Sequence, residues 1–111
     1  MTIDRKSLVN NNTLNTSFIV PIYNEAGNIR EFIKALTQSA NDLSQNYEIV
    51  IINDGSKDKS LAIIEQELLQ DKHIKLISFS RNFGKEIALT AGLNHCCGQI
   101  AILKPAVSAI S

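Results

Sequence analysis

The 111-residue sequence has no tryptophan, two prolines, two cysteines and five glycines. Two cysteines cannot build the disulfide framework on which small secreted domains depend. Cys96 and Cys97 are adjacent, and neighbours in sequence rarely meet disulfide geometry, while a metal site needs more ligands at wider spacing. They are expected to be reduced thiols on a helix packed near the core. His73 and His95 stand apart from each other and from any Cys, Asp or Glu at ligand spacing, so they read as helix-end or surface residues. Net charge is missing as well: eleven basic residues balance eleven acidic ones, which removes the electrostatic case for nucleic acid or an anionic membrane surface. No apolar run approaches the roughly 20 residues of a membrane span. Residues 1–16, MTIDRKSLVNNNTLNT, lack the apolar core of a signal peptide and are rich in Asn and Thr. They are expected to form a mobile polar leader on a cytoplasmic protein. Two nucleotide fingerprints are absent. The turn after the first apolar run reads YNEAGN instead of GxGxxG, and no GxxxxGK[ST] occurs, which argues against dehydrogenases and P-loop NTPases.

What the chain does have is apolar residue at 44%, enough for one domain. Its organising stretch is Tyr47 to Ser60, YEIVIINDGSKDKS. Ile49, Val50, Ile51 and Ile52 form an uninterrupted β-branched run, as expected of a strand buried on both faces of a parallel sheet. Asn53-Asp54-Gly55-Ser56 is turn chemistry, and Ser56 or Asp58 can cap the helix that follows. Upstream, Ser17 to Tyr23 reads as a first strand in which Pro21 marks either the strand end or a place needing no donor. Ile29, Phe32, Ile33, Leu36 and Ala40 then repeat at helical spacing, and Asn41 to Asn46 reads as a polar exit loop. Downstream come a second helix over about Asp58 to Gln70 and a third strand over Ile74 to Phe79. A third helix over Lys85 to His95 follows, in which Gly92 permits close packing, and a fourth strand starts at Ile100 to Leu103. The order β-α-β-α-β-α-β implies an α/β fold, a Rossmann-like parallel sheet with alternating helices.

In such a sheet the loops after the strands share one edge, where ligands bind. Three loops should converge there, carrying Tyr23, Glu25, Asp54, Arg81 and Lys85. A ring can pack on a base, a carboxylate can accept from base or ribose, and cations can neutralise phosphates. Each residue also has a plainer reading. Tyr23 can be a strand-end aromatic and Glu25 a first-turn acid favoured by the helix dipole. Asp54 can be a turn-former capping the next helix, and Arg81 and Lys85 solvated surface charges. Their shared edge favours a binding site.

FIVPIYNEAGNI, YEIVIINDGSKDKS and SFSRNFGKEIALTAGLNHCCG closely resemble the N-terminal half of inverting, nucleotide-sugar-dependent glycosyltransferases of family 2 with the GT-A fold. Within it they resemble the polyprenyl-phosphate sugar transferases, such as bactoprenol glucosyltransferases and dolichol-phosphate mannose synthases. The likeness covers residues 17–103, and RNFGKE followed by AL-x-AGL is characteristic of the bactoprenol branch. The resemblance implies a nucleotide pocket in which Pro21, Tyr23 and Glu25 line base and ribose and Asp54 reaches the base. It places Arg81 and Lys85 near the nucleotide, with the diphosphate beside Lys85. It implies a UDP-sugar donor, UDP-glucose in this branch, a lipid phosphate acceptor, and Mg²⁺ or Mn²⁺ bridging the diphosphate. Full-length relatives would be membrane-associated on the cytoplasmic face.

The sequence leaves that pattern after Leu103. Aligned by spacing, the two aspartates of the family's Asp-x-Asp metal motif fall on Pro105 and Val107, neither of which offers a side-chain oxygen to a hard cation. Residues 104–111 are therefore expected to be a divergent tail on a truncated or frameshifted, catalytically incomplete unit. An uncovered sheet edge would favour self-association. A non-catalytic nucleotide-binding or interaction module remains the alternative to a glycosyltransferase.

Overall fold

The computed structural model describes residues 15–42 and 46–106. The leader read over residues 1–16 falls outside that range except for its last two residues, as do residues 107–111 of the proposed tail. Seven elements alternate as expected: β1 Thr16–Ile22, α1 Ile29–Asp42, β2 Tyr47–Asn53, α2 Ser60–Gln70, β3 Ile74–Ser78, α3 Lys85–His95 and β4 Ile100–Leu103. The strands form one parallel sheet in the order β3-β2-β1-β4. The Rossmann-like α/β expectation is borne out.

β2 is buried along its whole length, because it is flanked by β1 and β3 and covered on both faces. Its residues Ile49 and Ile51 join Phe18, Val20 and Ile22 of β1 against Ile29, Ile33, Leu36 and Ala40 of α1 and Ile64 of α2. On the other face Val50 and Ile52 join Ile19 against Ala88 of α3. α3 lies close to the sheet there because Gly92 has no side chain. A Cβ at that position would stand 2.6 Å from Ile19 Cγ2 and 2.8 Å from Ile52 Cδ1.

Pro21 sits inside β1, one residue before its end. It faces the β4 side, and β4 has already ended at Leu103, opposite Ile19, so no ladder donor is lost there.

Some boundaries shift for physical reasons. α1 runs on to Asp42, into the stretch read as an exit loop, whose residues 43–45 lie outside the described range. α2 begins at Ser60 and not Asp58, because the Asp58 side chain accepts the Ser60 N–H at 2.9 Å in a local turn. Cys96 and Cys97 are free thiols but not helical. The chain leaves α3 at His95, so that the Cys97 N–H reaches Glu48 at 2.6 Å and the Gly98 N–H reaches Ser17 Oγ at 2.7 Å. His95 closes the last turn of α3, and His73 stacks on Tyr47 at 4.1 Å with Asp71 beside it.

Glu48, at the start of β2, is a buried acid that the sequence pattern did not mark. It is 3% exposed and accepts from the Ser17 hydroxyl at 2.5 Å, while the Lys75 ammonium stands 2.6 Å from its Oε1. Burial works to raise its carboxyl, but the bonds from Lys75, Ser17 and the Cys97 N–H outweigh burial and hold it below the ordinary value of 4.5. The Glu48 bond in turn raises Lys75, against the lowering effect of its own burial. A depressed acid contributes stability above its unfolded value and loses that contribution as pH falls through its folded one. Glu48→Gln should therefore lower stability at neutral pH by about 1–3 kcal/mol. Urea denaturation should show the gap to wild type holding above the ordinary value of 4.5 and closing as pH drops beneath it.

Candidate functional site

The strand order places a topological switch point between β1 and β4, and the crevice at the carboxyl ends of such strands is where open α/β sheets bind ligands. A cavity of about 300 Å³ opens there, lined among others by Pro21, Tyr23, Glu25, Asp54, Asn82 and Lys85. It is within the usual size range of small-molecule pockets. Five of the six residues singled out from the sequence thus share one cavity; Arg81 is not among its lining residues. The Arg81 guanidinium lies 4.7 Å over the Phe83 ring, a cation–π contact within the loop itself.

The loops are tied to one another before any ligand arrives. The loop after β1 leans on the loop after β2: Asn24 N–H donates to Ser56 Oγ at 2.9 Å, Glu25 N–H to Ser60 Oγ at 2.9 Å and Ala26 N–H to Asp58 Oδ2 at 3.1 Å. The Lys57 N–H returns a bond to Asn24 Oδ1 at 2.7 Å, and Asn24 adopts a left-handed φ of 54° to make the exchange. Burial works to raise the Asp58 carboxyl, yet hydrogen bonds from Ser60 and from the Ala26 N–H outweigh it and hold Asp58 below its ordinary value. The Glu25 side chain accepts from Asn28 Nδ2 at 3.0 Å.

The loop after β2 is bound just as firmly to the loop after β3. Asp54 Oδ1 accepts the Phe83 N–H at 2.7 Å, and its Oδ2 accepts the Gly84 N–H at 3.0 Å and Asn82 Nδ2 at 3.1 Å. Gly55 lets the two backbones touch. At φ 72° its missing Cβ would lie 2.1 Å from the Arg81 carbonyl carbon. Asp54 therefore does not cap α2, the plainer role open to it from the sequence. Asn82, Ser60 and the Asp58 cross-link were not foreseen as site residues. The RNFG stretch placed Asn82 beside Arg81, but nothing in its spacing signalled a partner 28 residues away.

Lys85 begins α3 at the rim of this cavity, after Gly84 at φ 104°. On the β4 side the lining is Pro105 and Ala106; Val107, the other position aligned with a metal aspartate, is outside the described residues. Among the described residues no three His, Cys, Asp or Glu side chains cluster to hold a metal. Pro105 and Ala106 carry no side-chain donor, and the Asp54 carboxylate is engaged by loop amides. The β4-side lining therefore offers no side-chain ligand to a diphosphate-bridging cation of the kind the family uses. Among them, too, no helix is long and apolar enough to cross a membrane.

The family model described as Glycosyl transferase family 2 matches residues 17–103. The chain belongs to glycosyl transferase family 2. Family 2 relatives include the uncharacterized glycosyltransferase YkcC of Bacillus subtilis, 41% identical over 78% of this chain and 27% of that protein. Another is the prophage bactoprenol glucosyl transferase homolog of Escherichia coli, 44% identical over 78% of this chain and 28% of that protein. The fold is that of GT-A glycosyltransferases. The mannosyltransferase PcManGT of Pyrobaculum calidifontis, solved with GDP-Man and Mn²⁺, superposes with a TM-score of 0.73 at 25% identity over 84% of this chain and 27% of its own. The chain spans about a quarter of the length of the relatives it matches.

Gly55→Ala should cost more than about 1 kcal/mol, since an L side chain is strained at this φ and meets backbone that cannot move aside. Thermal or urea unfolding measures it; a variant as stable as wild type would mean the two loops do not touch.

Proposed function

We propose that this chain binds the nucleotide of a UDP-sugar at the β1–β4 switch point, as the donor-binding unit of a polyprenyl-phosphate sugar transferase. The single observation that carries the reading is the shared cavity of Pro21, Tyr23, Glu25, Asp54 and Lys85. Tyr23 offers a ring to the base, Glu25 an acceptor to the ribose, and Asp54 whatever acceptor capacity the loop leaves it. Lys85 supplies positive charge to the diphosphate, and Arg81 joins it only by leaving the Phe83 ring. The relatives named for bactoprenol support glucose as the sugar and a lipid phosphate as the acceptor. Because the β4-side lining offers no side-chain ligand to a bridging cation, nucleotide binding is assigned to the described residues without metal, and transfer is not. Association with the cytoplasmic face of a membrane belongs to the same proposal, through the lipid acceptor.

A second reading has an observation of its own. Ile100 and Leu103, on the edge strand β4, are 59% and 49% exposed, a surface suited to pairing with another chain or a second copy.

Calorimetric titration separates the two. UDP should bind the full chain weakly, more tightly than GDP, and with little change on adding Mn²⁺. Tyr23→Ala should weaken it at least about fivefold through the lost stacking. Turnover of UDP-glucose by this chain would contradict the separation of binding from transfer. Absence of nucleotide binding together with a dimer in light scattering would favour the second reading.

A further inference from the structure

The hydrogen bonds to the Asp54 side chain come from one loop. Asp54 is 4% exposed, and its carboxylate accepts from the Phe83 N–H, the Gly84 N–H and Asn82 Nδ2. Asn82 Nδ2 donates again to the Asp54 carbonyl at 3.1 Å. A carboxylate offers about four acceptor positions, so the loop occupies three of them and leaves room for one ligand donor at most. The same bonds fix the backbone that matters for a phosphate. Gly84 adopts φ 104°, and a Cβ there would find nothing within 4 Å, so crowding does not hold it in place. Its N–H donates to Asp54, while its carbonyl accepts the Ala88 N–H at 3.1 Å in the first turn of α3. The next residue is Lys85, and both line the cavity.

We infer that Asp54 is a positioning residue for a diphosphate: it acts through Gly84 and Lys85, fixing the start of α3, in addition to any contact it makes with a base. The inference rests on the nucleotide reading above and assigns one residue's work within it. It carries an unusual sign. Removing a negative charge beside an anionic ligand should, by Coulomb's law alone, tighten binding. Releasing the loop that presents Lys85 should weaken it.

The test uses the full chain, with Asp54→Asn and Asn82→Ala, titrated by NMR with inorganic pyrophosphate and, separately, uridine. Asp54→Asn should weaken pyrophosphate about tenfold, the fold-change for a lost charge-assisted hydrogen bond. Amide exchange at Phe83 and Gly84 should quicken by a similar factor while the α1 amides stay as they were. Asn82→Ala, whose side chain is exposed, should move both quantities the same way by about threefold, and it decides the matter if the Asp54 variant does not fold. Pyrophosphate unchanged or tighter with only uridine weakened would overturn the inference and leave the nucleotide reading standing. Unaltered exchange at Phe83 and Gly84 would overturn it too. A wild-type chain that binds neither probe would sink the nucleotide reading, and the inference with it.

Discussion

The carboxylate of Asp54 ties the loop after β2 to the loop after β3. It sits one residue past the end of β2 and accepts from amides 29 and 30 residues further on. A charge-assisted hydrogen bond of this kind contributes about 1.5–3 kcal/mol net. That is enough to keep a glycine-containing loop in one conformation. The loop so held carries Asn82, Gly84 and Lys85 to the cavity. From the other side, Ser56, Asp58 and Ser60 hold the loop with Tyr23 and Glu25. The middle loop thus braces both its neighbours, and the cavity walls are set before a ligand enters, which lowers the ordering cost of binding.

The opposite end of β2 repeats the device. Glu48 is buried at the strand's start and accepts from Ser17 of β1 and from the Cys97 N–H in the α3–β4 connection, with Lys75 of β3 alongside. Between the two acids lies a strand with every residue buried, whose burial drives assembly but cannot by itself choose register or loop position, because apolar packing has no direction. The acids supply that direction. Glu48 keeps the sheet aligned at the edge away from the cavity, and Asp54 does so at the cavity itself.

Element types were legible because each rests on a local rule. The β-branched run at Ile49 to Ile52 reads as a buried strand, and the Ile29, Ile33, Leu36, Ala40 stripe of α1 is the one the core uses. The position of the site was legible from the order of the elements, since alternating strands and helices put their loops on one edge. Roles that depend on distant partners were not. Ser60 falls within the stretch read as the second helix and serves as the acceptor for Glu25 N–H. Glu48, which the sequence pattern did not mark, is a buried hub. Cys96 and Cys97 continue a helical pattern that the chain abandons to reach Ser17 and Glu48. Arg81 has the right charge for a phosphate, but the Phe83 ring two residues on takes it up. Apart from Arg81, whose contact lies within its own loop, each is a tertiary contact overriding a local preference.

Whether these braced loops form a nucleotide site is decided by a residue-by-residue NMR titration of the full chain with UDP. Amide shifts should concentrate at Tyr23, Glu25, Asp54, Gly84 and Lys85 around the cavity. Shifts gathered instead in the cleft between α1 and α2, at Arg30, Lys34 and Glu67, or no shifts at all, would contradict a nucleotide site at the cavity.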